Sequence, residues 1–553
     1  MTNKDIAKVF KLCGQLMELH NENSFRTKAM ANASFRVDKL PFAASTSNLE
    51  ELSEQPNIGK STAEKILQVL TTGTFPELEK LIEKTPEGII EMLKIKGLGP
   101  KKIQIIWKDL EIESVGELYY ACNENRLVEA KGFGLKTQED IKKSIEFSIA
   151  NQGWFLYARV MPFAENLIKN LQEKTSNKLS FTGDYRRKME VLQQVQILCE
   201  GTSEEALQLV KSLEFEMDVN QESGRISFRE ENGFAFEVIP TPASDFAKNL
   251  LLTTGSPLHI QHLENLGELK SLPTEEEIYQ SLGLAYIEPE LREGNQEIEL
   301  AKTNSLPTLI TYQDLKGSLH NHSTYSDGVH SLADMANYCK NELGLEYLGI
   351  CDHSRTAVYA NGLSIERVEE QWREIDQLNQ DLAPFKIFKG IESDILGDGS
   401  LDYPAEILSK FDFVVASIHG NLKMEEEKAT NRLIKAIENP YTTILGHPTG
   451  RLLLSRAGYP IDYKKVIDAC AANQVVIEIN ANPLRLDLDW RWQQYALEKG
   501  VLLSINPDAH RKEGHLDMEF GVYVARKGGL TKEKCLNAFS LSEISSYFTN
   551  NKK

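Results

Sequence analysis

The last part of the chain, from about residue 312 onward, is rich in side chains that can bind metal ions. Six histidines and three acidic residues in it follow closely on short apolar runs. Neutral imidazole and carboxylate together suit Zn, Mn or Fe, whereas Cys ligands would indicate a structural zinc site. The nine candidate ligands are His320, His322, Asp327, His353, Glu392, His419, His447, Asp508 and His510.

Nine ligands are too many for one ion, so the pattern predicts two or three divalent ions, of Mn²⁺, Zn²⁺ or Fe²⁺. Glu392 is the expected bridging carboxylate. Metal ions roughly 3.5–4 Å apart can hold both the attacking and the leaving oxygen of a phosphate ester and activate a water molecule. The predicted reaction is therefore phosphate-ester hydrolysis. We assign catalytic roles to His320, His322, Glu392 and Asp508.

These side chains need elements that bring them together. Short apolar runs alternate with amphipathic helical stretches here, which is typical of parallel strands with helical crossovers, in a barrel or a doubly wound sheet. Catalytic groups of such barrels lie at the carboxyl ends of the strands, where the candidate ligands fall. His330 and His515 follow no such run, and we expect ordinary structural roles for both. The runs are YLGIC, KIFKGI, FDFVVAS, TTILG, QVVIEI and VLLSI.

A short glycine motif occurs three times before about residue 150, within an otherwise helical pattern. The copies lie at 56–60, 96–102 and 131–136, and each is a small-residue turn that leads into a new helix. The form resembles the helix-hairpin-helix module, in which backbone N–H groups at a helix N-terminus hold a DNA phosphate. The expected DNA contacts are Gly59, Lys60, Gly97, Gly99, Lys101, Lys102 and Gly134.

Composition limits the class of protein. The chain has 553 residues, which predicts roughly three to four domains. Its seven Cys are scattered without a Cys-x-x-Cys pair, which argues against a disulfide framework and a zinc finger. We find no membrane-spanning run and no apolar signal core in MTNKDIAKVFKLCG, so we expect a cytoplasmic protein. We also expect a monomer. The net charge of -19 does not exclude DNA, because metal ions cancel clustered carboxylates and backbone N–H groups can hold phosphates.

The motifs of the last segment follow a specific order. They are His-x-His, Ser-Asp-Gly, Asp-His, Gly-Ile-Glu, Ser-Ile-His, Gly-His-Pro-Thr-Gly-Arg, Asn-Ala-Asn-Pro and Asp-Ala-His. This order resembles the PHP (polymerase and histidinol phosphatase) domain, in the version attached to bacterial family X DNA polymerases, and all nine ligand positions of that family are filled. The resemblance implies a seven-stranded barrel, a trinuclear site, often with manganese or zinc, and 3′-to-5′ exonuclease or abasic-site cleaving activity. Arg451 and Arg485 match local motifs of the family, and we expect them to bind substrate phosphate.

Phe25-Arg26 and the stretch GKSTAEKI at 59–66 resemble the small N-terminal domain of family X polymerases. In relatives with deoxyribose-phosphate lyase activity, the lysine at the position of Lys65 forms a Schiff base, a role that suits a desolvated amine. The resemblance makes Lys65 a possible lyase nucleophile. The alternative is a solvated lysine on a helix surface.

The stretch FTGDYRRK at 181–188 resembles the palm of a family X polymerase. Nucleotidyl transfer needs carboxylates that hold two Mg²⁺ ions. Where the family has Asp-x-Asp, this chain has Gln194-Val195-Gln196, and Gln offers only a neutral oxygen. Glu237 is the one position that keeps a carboxylate.

A second departure from the family lies in the same stretch. The family's Gly-Ser has become Gly183-Asp184, beside Arg187, which places a carboxylate where a triphosphate would bind. Like charges repel there by about 1 kcal/mol even in water. We therefore expect a degenerate polymerase site, with Mg²⁺ relevant only if polymerase activity survives.

The predicted architecture is multidomain. An all-α helix-hairpin-helix region comprises a small lyase-like domain (1–90) and a fingers-like region (91–150). An α/β nucleotidyltransferase-like palm and thumb (151–305) and a (β/α)7 barrel of the PHP type (312–553) follow. We predict a DNA repair nuclease that acts on gapped, abasic or 3′-end substrates. A working repair polymerase with a proofreading domain and a non-catalytic DNA-binding scaffold are the alternatives.

Overall fold

The computed structural model describes residues 1–40, 42–56, 58–95, 97–128, 130–150, 153–213, 215–220, 222–230 and 233–551, without side-chain placement at 147–150 and 551. Asn57 and Lys96, in the first two glycine motifs, lie outside the described residues. The chain divides into two compact units, Met1–Glu146 and Phe147–Lys553. Within the described residues, no helix is long and apolar enough to cross a membrane.

The first unit consists of helices. Several begin at a side chain that accepts hydrogen bonds from the first turn, as Thr2, Asn48 and Ser114 do in reciprocal capping boxes. In the first helix, apolar residues spaced three or four apart, such as Ile6, Phe10 and Cys13, are fully buried. The helices are α1 Asn3–Leu19, α2 Ser24–Asp38, α3 Leu49–Ser53, α4 Lys60–Thr72, α5 Pro76–Glu83, α6 Glu87–Met92, α7 Pro100–Lys108, α8 Val115–Asn123 and α9 Leu135–Ala150.

The second unit begins with a mixed sheet of five strands in the order β2-β4-β7-β6-β5. Strands β4 and β7 are parallel and the other neighbours are antiparallel. A separate antiparallel pair joins β1 and β3. The strands are β1 Phe155–Leu156, β2 Leu179–Thr182, β3 Val191–Leu192, β4 Val195–Glu200, β5 Met217–Val219, β6 Ile226–Arg229 and β7 Ala235–Thr241.

Helices cover this sheet and continue beyond it. Helices α10 and α12 pack against the buried face of β4, β6 and β7, while the last four surround a small core of their own. The helices are α10 Tyr157–Gln172, α11 Gly183–Arg186, α12 Ser203–Lys211, α13 Phe246–Thr254, α14 Pro257–Glu264, α15 Glu275–Ser281 and α16 Glu297–Lys302.

The rest of the second unit is a barrel of parallel strands. Its strands form two arcs, β10-β9-β8 and β11-β12-β13-β14-β15, in which all neighbours are parallel. Parallel bridges between His353 and Glu392 and between Asn321 and Ala509 join the arcs into a ring. Because β10 and β11 are consecutive parts of one strand, the ring has seven strands, as the resemblance implied. They are β8 Gly317–Ser318, β9 Tyr347–Ile350, β10 Lys386–Lys389, β11 Glu392–Asp394, β12 Val415–Ser417, β13 Ile444–Leu445, β14 Val476–Asn480 and β15 Leu503–Asn506.

Helices surround the barrel and bury its apolar outer surface in one large core. The parallel strands are buried on both faces and read as almost continuous apolar runs, which explains why the sequence patterns located them. The barrel helices are α17 Leu332–Asn341, α18 Ile365–Asp381, α19 Ala405–Leu408, α20 Glu426–Ile437, α21 Tyr463–Asn473, α22 Trp490–Glu498, α23 Met518–Lys527 and α24 Leu541–Asn551.

The five-stranded sheet region and the barrel share a polar interface. The Lys527 ammonium at the end of α23 is buried, lies 2.5 Å from a carboxylate oxygen of Glu293, and donates to the backbone carbonyl of Arg187 at 3.0 Å. At the start of α22, Arg491 pairs with Glu190 at 3.0 Å. Removing either partner of the buried pair would leave a charge unsatisfied, which fixes the two regions together.

Candidate metal centre

Glu392 lies at the middle of a buried cluster at the carboxyl ends of the barrel strands. It is the first residue of β11 and is 1% exposed. Its carboxylate oxygens lie 3.0 to 3.7 Å from nitrogens of five imidazoles. This is the position that a bridging ligand would occupy. The five imidazoles belong to His320, His322, His353, His419 and His447.

Two further carboxylates complete the cluster. Asp508 Oδ1 lies 2.9 Å from His322 Nε2 and 3.5 Å from His320 Nε2. Asp327 lies on the other side, with Oδ1 3.4 Å from His510 Nε2 and Oδ2 3.6 Å from His353 Nε2. The fold thus brings together all nine residues that the sequence singled out as ligands.

The ligand atoms fall into overlapping groups that could each hold one ion. In each group the atoms lie within 4.8 Å of one another. His322 and His353 each belong to two groups, so ions in adjacent groups would lie next to the same histidine. The groups are His322 with Asp327, His353 and His510; His320 with His322 and Asp508; and His353 with Glu392 and His419.

The backbone that presents these ligands is unusual at two of them. His447 has φ 22° and Asp508 has φ 54°, in the left-handed region that side chains rarely adopt. Such conformations persist only where the surrounding structure holds them, and they concentrate at functional sites.

Charge within the cluster is strongly coupled. Burial opposes ionisation of Glu392 and Asp508, but the facing imidazoles outweigh it and hold both pKa values well below the usual range. Burial likewise disfavours the charged form of His419, yet Glu392 and Asp394 raise its pKa to about 10. Burial lowers the pKa of His322 to about 3, with His510 and His353 adding to the effect. The carboxylates are therefore ionised and attract positive charge into a dry site.

The donor atoms fit metal ions. Within the described residues, His320 Nε2, His322 Nδ1 and Glu392 Oε2 are buried and make no hydrogen bond. Buried polar atoms are normally satisfied, so unsatisfied atoms within one cluster of ligand groups indicate that partners such as metal ions bind there. Imidazole nitrogen and carboxylate oxygen are ligands of divalent transition metals, and the site residues therefore fit such ions.

Three carboxylates behind the ligands were not predicted from the sequence, and of these Glu478 and Asp352 are buried while Asp394 is partly buried. Glu478 Oε2 lies 2.7 Å from His320 Nδ1, and Asp394 Oδ1 lies 2.5 Å from His419 Nδ1. Asp352 accepts hydrogen bonds from the backbone of Ser323 and Ser326, next to Asp327. A signal was available, because Glu478 lies inside the apolar run VVIEI and a charge buried in a strand requires partners.

The two arginines expected to bind phosphate differ in their surroundings. Arg485 lies at the centre, with Nε 4.0 Å from Asp508 Oδ2. Arg451 donates to the carbonyls of Arg485 and Leu486 and pairs with Asp489. A phosphate contact by Arg451 stays a prediction, and it would require these internal bonds to be exchanged.

The glycine motifs of the first unit present open helix N-termini. Gly59 and Gly99 are the N-cap residues of α4 and α7, and neither helix has a side-chain cap. A Cβ added at either glycine, or at Gly97 or Gly134, would meet no atom within 4 Å. Gly97 has φ 92°, a conformation that favours glycine in any case. At Gly59, Gly99 and Gly134, packing within the protein does not require glycine, whereas close approach of a ligand to the backbone would. Lys60 and Lys101 are exposed in the first turns of α4 and α7, and Lys102 lies over the Phe133 ring.

Lys65 lies on α4 beside an acidic partner. Its Nζ is 2.5 Å from Glu77 Oε2 and 5.4 Å from the centre of the Phe75 ring, with the side chain 21% exposed. Burial lowers its pKa. The amine is thus partly desolvated, unlike a fully solvated surface lysine.

The palm positions are linked by internal bonds. Gln196 on β4 lies opposite Glu237 on β7 and donates to its carboxylate at 2.7 Å. Arg187 pairs with Asp184 at 2.5 Å and with Glu293 at 3.1 Å. Gln194 is exposed just before β4.

Comparison with known proteins agrees with this arrangement. Residues 1–75 match the family "Helix-hairpin-helix domain", 89–146 match "SAM-like Helix-hairpin-helix tandem" and 318–482 match "PHP domain". A probable phosphatase of Thermoanaerobacter sp. (strain X514) is 31% identical over 186 residues, 32% of this chain and 73% of the relative. The probable phosphatase YcdX of Escherichia coli O81 (strain ED1a) is 30% identical over 171 residues, 29% of this chain and 62% of the relative.

One relative matches the whole chain. The DNA polymerase/3'-5' exonuclease PolX of Bacillus subtilis (strain 168) is 34% identical over 100% of both chains. The PHP domain is metal-dependent, and the helix-hairpin-helix domains indicate DNA binding. The chain therefore belongs to the bacterial PolX family, and it is an enzyme with a PHP-type phosphoesterase domain.

Proposed function

We propose that this protein hydrolyses phosphodiester bonds of DNA at the barrel centre, as a 3′-to-5′ exonuclease in DNA repair, and that its palm no longer transfers nucleotides. The observation that carries the proposal is the complete set of nine ligand residues, Glu392 and eight others, in one cluster. Abasic-site cleavage at the same centre is part of the proposal. We further infer a monomeric, cytoplasmic enzyme.

The proposed site holds three divalent ions, of Mn²⁺, Zn²⁺ or Fe²⁺, in the three overlapping ligand groups. Bound ions would polarise the phosphate and lower the pKa of water. The chain's own residues would position the reaction: Glu392 and Asp508 would bind the ions through their carboxylates, and Arg485 lies where a guanidinium could orient a phosphate oxygen. The buried walls exclude bulk water and strengthen each of these interactions.

The palm supports the loss of nucleotidyl transfer. Two-ion catalysis needs acidic ligands, but the Gln196 amide donates to Glu237 and occupies its carboxylate at 2.7 Å. Arg187, which would face a triphosphate, is 9% exposed and bound to Glu293 and Asp184. A nucleotide would have to displace these bonds and approach the Asp184 carboxylate.

The first unit supplies the proposed grip on DNA. The uncapped N-termini of α4 and α7 leave amide groups available to phosphates, with Lys60 and Lys101 nearby. This arrangement is independent of base sequence, which suits gapped, abasic or recessed 3′-end substrates. The lowered pKa of Lys65 favours it as a lyase nucleophile on the same substrates.

Nuclease assays test the proposal directly. We expect nucleotide release from single-stranded and recessed 3′ ends with Mn²⁺, none with EDTA, and cleavage of abasic-site DNA. Replacing His320 and His322 together by Ala should abolish both activities, whereas His330→Ala in the same domain should keep them. If the double variant still degrades DNA, the site is wrongly assigned.

A working polymerase with a proofreading barrel is the second candidate, favoured by the full-length similarity to a protein named as a DNA polymerase. Primer extension on gapped DNA with Mg²⁺ or Mn²⁺ separates the two. Sustained template-directed synthesis would overturn the proposed loss of nucleotidyl transfer. Absence of all hydrolysis by wild-type protein loaded with metal would instead favour a non-catalytic scaffold.

A further inference from the structure

We propose that Glu478 is a positioning residue of the metal centre, which aligns three ligand residues from three strand ends and directs His320 to bind metal through Nε2. The inference rests on the metal-dependent hydrolase proposed above. Glu478 is not among the nine ligand residues, and it lies in the middle of β14 with 0% exposure.

Four donors surround the Glu478 carboxylate, two on each oxygen. His320 Nδ1 lies at 2.7 Å and Asn506 Nδ2 at 3.1 Å from Oε2. The backbone N–H of His447 lies at 3.1 Å and Asn480 Nδ2 at 3.0 Å from Oε1. A carboxylate can accept hydrogen bonds at both oxygens, so this set of four donors matches Glu and not the amide of Gln.

The first consequence concerns the tautomer of His320. A carboxylate cannot donate, so the imidazole nitrogen that faces it carries the proton, and Nε2 is the nitrogen that could offer a lone pair to a bound metal ion. That nitrogen is buried and points into the cluster, 3.4 Å from Glu392 and 3.5 Å from Asp508. Glu478 therefore fixes both the orientation of the ring and the atom that is free to bind metal.

The second consequence concerns the other two ligand residues. The His447 N–H bond anchors a residue whose φ of 22° needs external support. Asn480 donates from the same nitrogen to Glu478 Oε1 and to Asp508 Oδ2, at 3.0 and 3.1 Å. One carboxylate thus links the residues after β8, β13 and β15, which are far apart in sequence.

The cost of burying the Glu478 carboxylate argues against a purely structural role. The apolar residues of β14 are buried in the barrel, and an unpaired carboxylate among them would be strongly unfavourable. Gln at this position would turn an amide N–H₂ toward donors that already point at it. Glu478→Gln therefore loses the hydrogen bonds to one of the two pairs of donors, whichever way the amide turns, while keeping the shape of the side chain.

The chain contains a matched control pair away from the centre. In the α14–α16 region, Glu297 Oε1 lies 2.7 Å from His259 Nδ1, and both side chains are buried. Glu297→Gln makes the same chemical change in the same kind of carboxylate–imidazole pair. It should affect folding in a comparable way and leave the metal centre unchanged.

The test is metal binding by full-length protein that has been stripped with chelator and then titrated with Mn²⁺ or Zn²⁺ in a calorimeter. We expect Glu478→Gln to weaken binding of at least one ion by about 10- to 100-fold and to change the visible absorption spectrum of the Co²⁺-loaded protein. Glu297→Gln should keep wild-type affinity and spectrum. Wild-type affinity and spectrum in Glu478→Gln would overturn the proposal.

Glu478→Asp provides a second measurement if Glu478→Gln does not fold. It keeps the charge but withdraws the carboxylate by one methylene, so the bond to His320 lengthens, and we expect weaker metal binding in a folded protein. Unchanged metal binding in Glu478→Asp would also overturn the proposal. These results are separable from the proposed function, because metal affinity responds to Glu478 whether or not wild-type protein cleaves DNA.

Discussion

Replacing Gly99 by Ala should weaken DNA binding without destabilising the protein. Gly99 has φ -100° and ψ 169°, an extended conformation that Ala adopts freely, and its added Cβ meets no atom within 4 Å. Ala is a poorer N-cap residue than Gly, but it also restricts the unfolded chain, an effect of about 0.4–1 kcal/mol in the opposite direction. The free energy of unfolding should therefore change by less than about 1 kcal/mol.

The expected effect on DNA binding is much larger than the effect on stability. The new methyl group would lie where a phosphate approaches the uncapped amides of α7. A hydrogen bond to a charged group contributes about 1.5–3 kcal/mol, so its loss should raise Kd roughly ten- to hundredfold. Gly59→Ala at the start of α4 should behave in the same way.

Fluorescence anisotropy with labelled gapped DNA at several salt concentrations measures both Kd and its dependence on salt. Because Gly99→Ala removes no charge, the slope of log Kd against log salt should stay at the wild-type value. Lys101→Ala, in the neighbouring exposed turn, should lower that slope by about one unit. Wild-type affinity in Gly99→Ala would refute the idea that backbone amides of this motif hold phosphate.

Three further outcomes are expected. A metal ion at a free concentration of 100 times its Kd stabilises a protein by about 2.7 kcal/mol. EDTA should therefore lower the Tm of the barrel and Mn²⁺ should restore it. An unchanged Tm would contradict the metal site. Burial lowers the pKa of His515 to about 3, below the unfolded value of about 6.5, so only the unfolded state gains this proton as pH falls between these values. The resulting loss of stability, at most about 1.4 kcal/mol per pH unit, should be reduced in His515→Gln, as followed by urea unfolding across that range. Finally, borohydride should trap wild-type protein on abasic DNA but not Lys65→Ala, and an adduct with the variant would exclude Lys65 as the nucleophile.

Much of the barrel was predictable because its strands are buried on both faces. Such strands read as short apolar runs, and the six runs proposed from sequence contain or overlap β9, β10, β12, β13, β14 and β15. The split of one strand into β10 and β11 was not predictable, since it depends on how the two arcs of the barrel meet at Glu392. Because the strand is divided between β10 and β11, one arc ends at β10 and the other begins at β11.

The ligand residues were predictable for a related reason. Parallel strands gather their carboxyl ends, so a His or Asp after each strand must converge with the others. The supporting shell was harder, because Asp394 and Glu478 lie within strands rather than after them and act on residues 25 and 158 positions away. The internal bonds of Arg451 were equally hidden, since its partners come from a neighbouring loop.

The buried Lys527 limits how the sequence of this protein can change in evolution. Its ammonium is held by Glu293 and by the carbonyls of Arg187 and Glu290, all outside the barrel. A barrel released from the chain would lose these three partners, and the Lys527 ammonium would have to be hydrated by water instead. Under the proposed loss of nucleotidyl transfer, substitutions could erase the chemistry of the palm one residue at a time, while selection on the barrel would still retain Glu293 and the carbonyls that hold Lys527.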